Sequence, residues 1–145
     1  MKKLNKIARR ITAFNEAAEQ FIKECEDSGK FNEWQMYEIR KGFKDGLTID
    51  QVKLYADPKF NVNQMWIICS GLKHGYTMEQ IQVCMNPKFN KEQLYEIGMG
   101  FEQNLTMEQI KVFADSKFDA DQMWEIRYDL EKGLTIEEVK EKYNL

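Results

Sequence analysis

Apolar and polar positions along most of this chain recur on a fixed cycle of 29 residues, with segments starting at Lys30, Lys59, Lys88 and Lys117 and no insertion between them. In the first segment Met36, Ile39 and Phe43 stand at i, i+3 and i+7, the spacing of one buried stripe on an α-helix. Asn32 precedes the stripe and Gln35 follows three residues later; the pair returns as Asn61/Gln64, Asn90/Gln93 and Asp119/Gln122. Such pairs start helices, because the first side chain accepts from orphan backbone N–H groups while the glutamine reaches back to the cap. Phe31, Phe60, Phe89 and Phe118 stand just before the caps, and Met36, Met65, Leu94 and Met123 four residues beyond, as hydrophobic staples. Gly46, Gly75, Asn104 and Gly133, which tolerate left-handed backbone, end these helices. Thr48, Thr77, Thr106 and Thr135 then open a second, shorter helix, with Gln51, Gln80, Gln109 and Glu138 completing the boxes. Each repeat (30–58, 59–87, 88–116 and 117–145) is thus predicted to be a helix–turn–helix hairpin.

Helices this short cannot bury a stripe alone, so neighbouring hairpins are expected to stack. The predicted fold is all-α: a right-handed α-solenoid of four hairpins with an N-terminal capping helix over residues 1–29. In that leading segment Leu4, Ile7, Ile11, Phe14, Ala18, Phe21 and Cys25 alternate at three- and four-residue spacing, a narrow apolar seam. Capping the first hairpin is the preferred role for this helix, and a dimerising coiled coil is the alternative. The last repeat turns polar, with Asp129 replacing a recurrent glycine and Glu141/Lys142 replacing apolar pairs, as expected where no fifth repeat follows.

That glycine (Gly42, Gly71, Gly100) costs about 1 kcal/mol in a helix interior relative to alanine, so a close neighbour is expected at it. The aromatic five positions earlier (Tyr37, Trp66, Tyr95, Trp124) lies on the opposite flank of the stripe. The pattern predicts a packed ladder in which each aromatic covers the glycine of the preceding repeat, so that Trp66→Ala or Tyr95→Ala costs about 3–5 kcal/mol. The alternative use of such a ladder is base stacking.

Composition adds bounds. Apolar content of 43% with 31% charged residues is that of a folded chain, and no apolar run is long enough to cross a membrane. "MKKLNKIARR" lacks the apolar stretch of a signal peptide. Three widely spaced cysteines (Cys25, Cys69, Cys84) read as reduced, buried thiols in a cytoplasmic protein. The single histidine, His74, sits in a variable slot beside a helix end. Neither a Cys/His cluster nor a nucleophile or phosphate-loop motif stands out, so no metal, cofactor or catalysis is expected.

Binding is the remaining class of work. Trp34, Ile67, Met99 and Tyr128 lie on the side of the first helix away from its stripe, one in each repeat, with Glu38, Lys41, Glu96 and Glu125 as a polar rim. They form the candidate surface for a protein partner, against the alternative of scattered surface residues. Lys2, Lys3, Lys6, Arg9 and Arg10 form a basic cluster that offers a nucleic-acid alternative. A monomer is expected in preference to a homodimer.

The motif Gln-Met-(Trp/Tyr)-Glu-Ile-Arg, followed by Gly-Leu-Thr and Tyr-Ala-Asp-Pro-Lys-Phe, resembles short helical-repeat arrays of Firmicutes proteins, many from phages and conjugative elements. The likeness covers residues 30–145. "EIRKGF" at 38–43 fits it, "IICSGL" at 67–72 loses both charges, and "EIRYDL" at 125–130 loses the glycine. The resemblance implies an adaptor without catalytic activity, and its mobile-element association implies a protein inhibitor of a host defence system, such as an anti-CRISPR.

Overall fold

The computed structural model describes residues 1–145, and all of its regular structure is helical: nine helices and no strand. The all-helical expectation is met, as is the expectation of two helices in every repeat. The chain forms two compact units, Met1–His74 and Gly75–Leu145, whose boundary falls inside the second repeat.

The first unit contains α1 (Lys2–Ser28), α2 (Glu33–Lys44), α3 (Ile49–Tyr55) and α4 (Val62–Lys73). Here α2 packs on α4 and α3, and α1 lies against α2 and α3. Phe14 and Phe21 meet the ring of Phe43 edge-on, at centroid distances of 6.4 and 6.1 Å. The second unit contains α5 (Met78–Cys84), α6 (Lys91–Glu102), α7 (Met107–Phe113), α8 (Ala120–Glu131) and α9 (Ile136–Tyr143). In it α6 packs on α8, α7 on α8 and α9, and α5 on α6.

All eight repeat helices begin with a complete capping box, in which the cap side chain accepts from the N3 amide and the N3 side chain accepts from the cap N–H. Gly46, Gly75, Asn104 and Gly133 all take positive φ after the longer helices, as their sequence positions require.

In α2 and α6 the N3 glutamine has a second task that its spacing does not reveal. Gln35 is buried; its amide carbonyl accepts from Asn32 N–H at 2.9 Å, and its Nε2 donates to the carbonyl of Phe60 at 2.8 Å. Gln93 repeats this in the second unit, accepting from Asn90 N–H at 2.8 Å and donating to Phe118 O at 2.6 Å. One side chain thereby caps its own helix and binds the residue that precedes the next repeat's cap.

The glycines are tight, but against a different neighbour from the one expected. A Cβ on Gly42 would lie 1.8 Å from Tyr55 Oη, and one on Gly100 would lie 2.6 Å from Ile110 Cδ1 and 2.8 Å from Phe113 Cζ. Gly42 and Gly100 therefore each admit an aromatic, Tyr55 or Phe113, from the second helix of the same hairpin. In the last repeat the same two slots hold Asp129 and Lys142, which form an ion pair at 2.6 Å, and Asp129 also accepts from Tyr143 Oη at 2.7 Å. Asp129 is thus a bonded substitute for the glycine–aromatic fit.

With the glycine flank taken by its own hairpin, the predicted aromatic ladder is not a packed one. Tyr37, Trp66, Tyr95 and Trp124 are 57%, 51%, 61% and 47% exposed. The opposite-flank geometry holds; the expected neighbour on that flank does not.

Two comparisons within the chain test this packing by chemical denaturation. Gln93→Ala strands the Phe118 carbonyl and the Asn90 N–H and should cost about 2–4 kcal/mol, against about 1 kcal/mol for Gln122→Ala, whose side chain is exposed and serves a cap. Gly100→Ala should destabilise by about 1–3 kcal/mol through overpacking, whereas Gly98→Ala, with nothing within 4 Å of its Cβ, should stabilise by up to about 1 kcal/mol.

Candidate interaction surfaces

The eight residues proposed from sequence as one partner surface separate into different environments. Trp34 is 70% exposed on α2, one helical turn before Tyr37. Tyr128 is exposed on α8, its ring stacked on Trp124 at 5.3 Å with 18° between planes. Lys132 Nζ lies over the same Tyr128 ring at 5.0 Å, a cation–π contact. Ile67 and Met99 are half-buried, so they are only partly available to a partner. Of the polar rim, Glu125 is exposed and Lys41 half-buried.

Glu38 and Glu96 are a correction: both are buried and neither forms a rim. The ninth position of the repeat faces the neighbouring first helix, where a partner for the carboxylate is needed. Glu96 has one, since Arg127 of α8 donates through Nε at 2.9 Å and its Nη2 lies 2.9 Å from the same oxygen. The Arg127 guanidinium also bonds Glu131. In the first unit the slot equivalent to Arg127 holds Cys69, and Glu38 Oε2 is buried without a hydrogen-bond partner. Lys41 Nζ stands 3.9 Å from it. Tyr55 donates to the Glu38 backbone carbonyl at 3.1 Å rather than to its carboxylate. Burial consequently holds the Glu38 carboxyl above the usual glutamate range, with Lys41 opposing and Asp45 reinforcing that shift.

Cys25, Cys69 and Cys84 are free and buried, and burial raises all three thiols, Cys84 to about 12, so none is a ready thiolate. His74 caps α4, its Nδ1 2.7 Å from the Ser70 carbonyl. No group of three or more His, Cys, Asp or Glu side chains is placed to hold a metal ion. No helix is long and apolar enough to cross a membrane.

Two surfaces stand out. In the first unit Trp34 and Tyr37 on α2, and Trp66 on α4, present exposed rings from two helices that pack together. In the second unit α6 and α8 enclose a shallow groove of about 520 Å³, lined by Tyr95, Trp124, Ala120, Lys91 and the carboxylates Glu92, Glu96 and Asp121. The basic cluster Lys2, Lys3, Lys6, Arg9 and Arg10 is exposed along the first turns of α1. No protein-family model, curated protein or solved structure matches the chain significantly.

Two measurements check these assignments. Because the folded-state pKa of Glu38 lies above the unfolded one, its contribution favours folding at acid pH. That contribution is lost as pH rises from the ordinary glutamate value through the raised one. Glu38→Gln should be more stable than the parent at neutral pH and should lose that part of the pH dependence in denaturation titrations. Trp66→Ala and Tyr95→Ala, at half-exposed positions, should each cost about 1 kcal/mol in stability, well below the 3–5 expected of a buried ring.

Proposed function

We propose that this protein is a non-catalytic protein-binding module, an α-solenoid of four hairpins whose first hairpin is capped by the second half of α1. The first helices of consecutive repeats pack in the same way in each unit, α2 on α4 and α6 on α8, which supports stacking as the building rule. The observation that carries the binding reading is the exposure of one aromatic at the same slot in all four repeats. Exposed aromatic rings cost solubility, and such side chains are enriched at the cores of protein interfaces. Trp34, one turn from Tyr37 in the first unit, and Tyr128, stacked on Trp124 in the second, add to these rings, while Ile67 and Met99 contribute only their exposed edges.

The resemblance to phage and mobile-element arrays narrows the role to inhibition of a host defence protein, the anti-CRISPR class being one instance. The competing reading, a nucleic-acid adaptor, draws on the exposed basic cluster of α1. The carboxylates beside Tyr95 and Trp124 weigh against phosphate at that part of the aromatic row.

The experiment is affinity capture from the native host with the parent protein and with Trp34→Asp, Tyr37→Asp and Trp66→Asp. The variants should keep the parental melting temperature within a few degrees, and at least two should lose the captured protein by about tenfold or more. Retention by all three would place the partner elsewhere. Capture of nucleic acid with steep salt dependence would favour the basic helix instead.

A further inference from the structure

The first half of α1 has no cover in this chain. Residues 1–17 are all exposed, and Leu4, Ile7 and Ile11 form a seam at 70%, 48% and 56% exposure, which ends where Phe14 meets the edge of Phe43. The second half behaves differently, burying Ala18 and Cys25 and seating Phe21 on Phe43. Since α1 is a single unbroken helix of 27 residues, about 40 Å long, the bare seam is presented as a rigid rod. The contacts of α1 with the first hairpin thus leave its first turns free.

Charge selects the occupant of the seam. The chain carries 21 basic and 24 acidic side chains. Five of the basic ones lie in the first ten residues, which leaves 16 against 24, a formal net of −8, on the rest. A bare seam meeting its own copy would set five cations against five. An anionic bilayer would attract the helix end but repel the remainder. Another copy's acidic remainder attracts the helix end, and it contains a receptive feature: the groove between α6 and α8, whose lining holds the rings of Tyr95 and Trp124 and sets two exposed carboxylates, Glu92 and Asp121, against one exposed cation, Lys91. A basic amphipathic helix seated in an apolar groove with acidic edges is a familiar recognition geometry, and lysine or arginine can lie over the rings.

We propose that the first half of α1 from one copy docks its Leu4–Ile7–Ile11 seam into the Tyr95/Trp124 groove of a second copy. This rests on reading the aromatic row as a protein-binding surface and assigns its second-unit part to self-association. Seam and groove are different patches, so the contact is heterologous, and every copy carries one of each.

The test is molecular mass by light scattering and sedimentation velocity over a range of protein and salt concentrations. The parent protein should exceed its monomer mass of 17.3 kDa increasingly with concentration, and less so at high salt. A seam variant (Ile7→Asp with Ile11→Asp) and a groove variant (Tyr95→Ala with Trp124→Ala) should each be monomeric when alone. Mixed, they retain one intact seam and one intact groove and should form a complex of twice the monomer mass and nothing larger. Circular dichroism verifies that both remain folded; if the groove variant unfolds, Asp121→Lys at an exposed position replaces it. A parent protein monomeric at every concentration overturns the proposal, and it does so alone if Trp34→Asp or Trp66→Asp still abolishes capture of a foreign protein. Association of the groove variant by itself overturns it in favour of seam–seam pairing. Seam-dependent binding of a monomeric parent to phosphatidylglycerol vesicles overturns it in favour of a lipid occupant.

Discussion

A buried glutamine amide is the constraint on which the repeat depends. Gln35 and Gln93 accept from the cap of their own helix and donate to a carbonyl 25 residues further on. Both ends of that amide are buried or partly buried, so neither bond is readily replaced by water. The cap fixes where the glutamine sits on its helix, and the second bond fixes where the next helix must enter. An inserted residue between Gln93 and Phe118 would have to be looped out, or the amide would be left half-satisfied. The uniform 29-residue spacing is the sequence-level trace of this link.

The second constraint is steric, and it decides which surface is left over. Admitting Tyr55 beside Gly42 and Phe113 beside Gly100 brings the two helices of a hairpin close together on one flank of the stripe. Neighbouring first helices meet on the face that holds Glu96 and Arg127. The flank carrying Tyr37, Trp66, Tyr95 and Trp124 is then needed by neither contact, because five positions place it about 140° around the helix from the glycine. A bulky aromatic persists in all four repeats at a slot where packing does not demand it. That separation of packing slots from a free aromatic slot is the physical basis for reading the row as a binding surface.

What was legible in the sequence followed from short-range chemistry. Caps, staples and left-handed C-caps act over three to five residues, and every one of the eight capping boxes is present. What was not legible depends on which neighbour a face meets. Glycine announces a close approach without naming the approaching group, and Tyr55 and Phe113 were equally compatible with the following repeat's aromatic until the hairpin was closed. Glu38 and Glu96 read as rim residues because a carboxylate on an amphipathic helix is normally solvated. The signal that could have corrected this is the Glu-Ile-Arg motif itself, whose glutamate and arginine pair between consecutive repeats as Glu96 and Arg127. Where the second repeat substitutes Cys69 for that arginine, Glu38 is left without its partner.

The unequal treatment of these two carboxylates also bears on how such a chain diversifies. Losing the arginine opposite Glu38 leaves a buried carboxylate oxygen unbonded, a defect that a stable scaffold can carry but does not benefit from. The fold holds because the caps, the glutamine link and the glycine–aromatic fit supply the geometry independently of that ion pair. Outward slots are freer still: the fifth position reads Trp34, Asn63, Glu92 and Asp121 in the four repeats, changing from aromatic to acidic along the chain. Beside a constant aromatic at position eight, this variation gives the first unit an apolar surface and the second an acidic, aromatic one. A repeat whose structural bonds are confined to a few slots can therefore present two chemically distinct surfaces without altering the element that carries them.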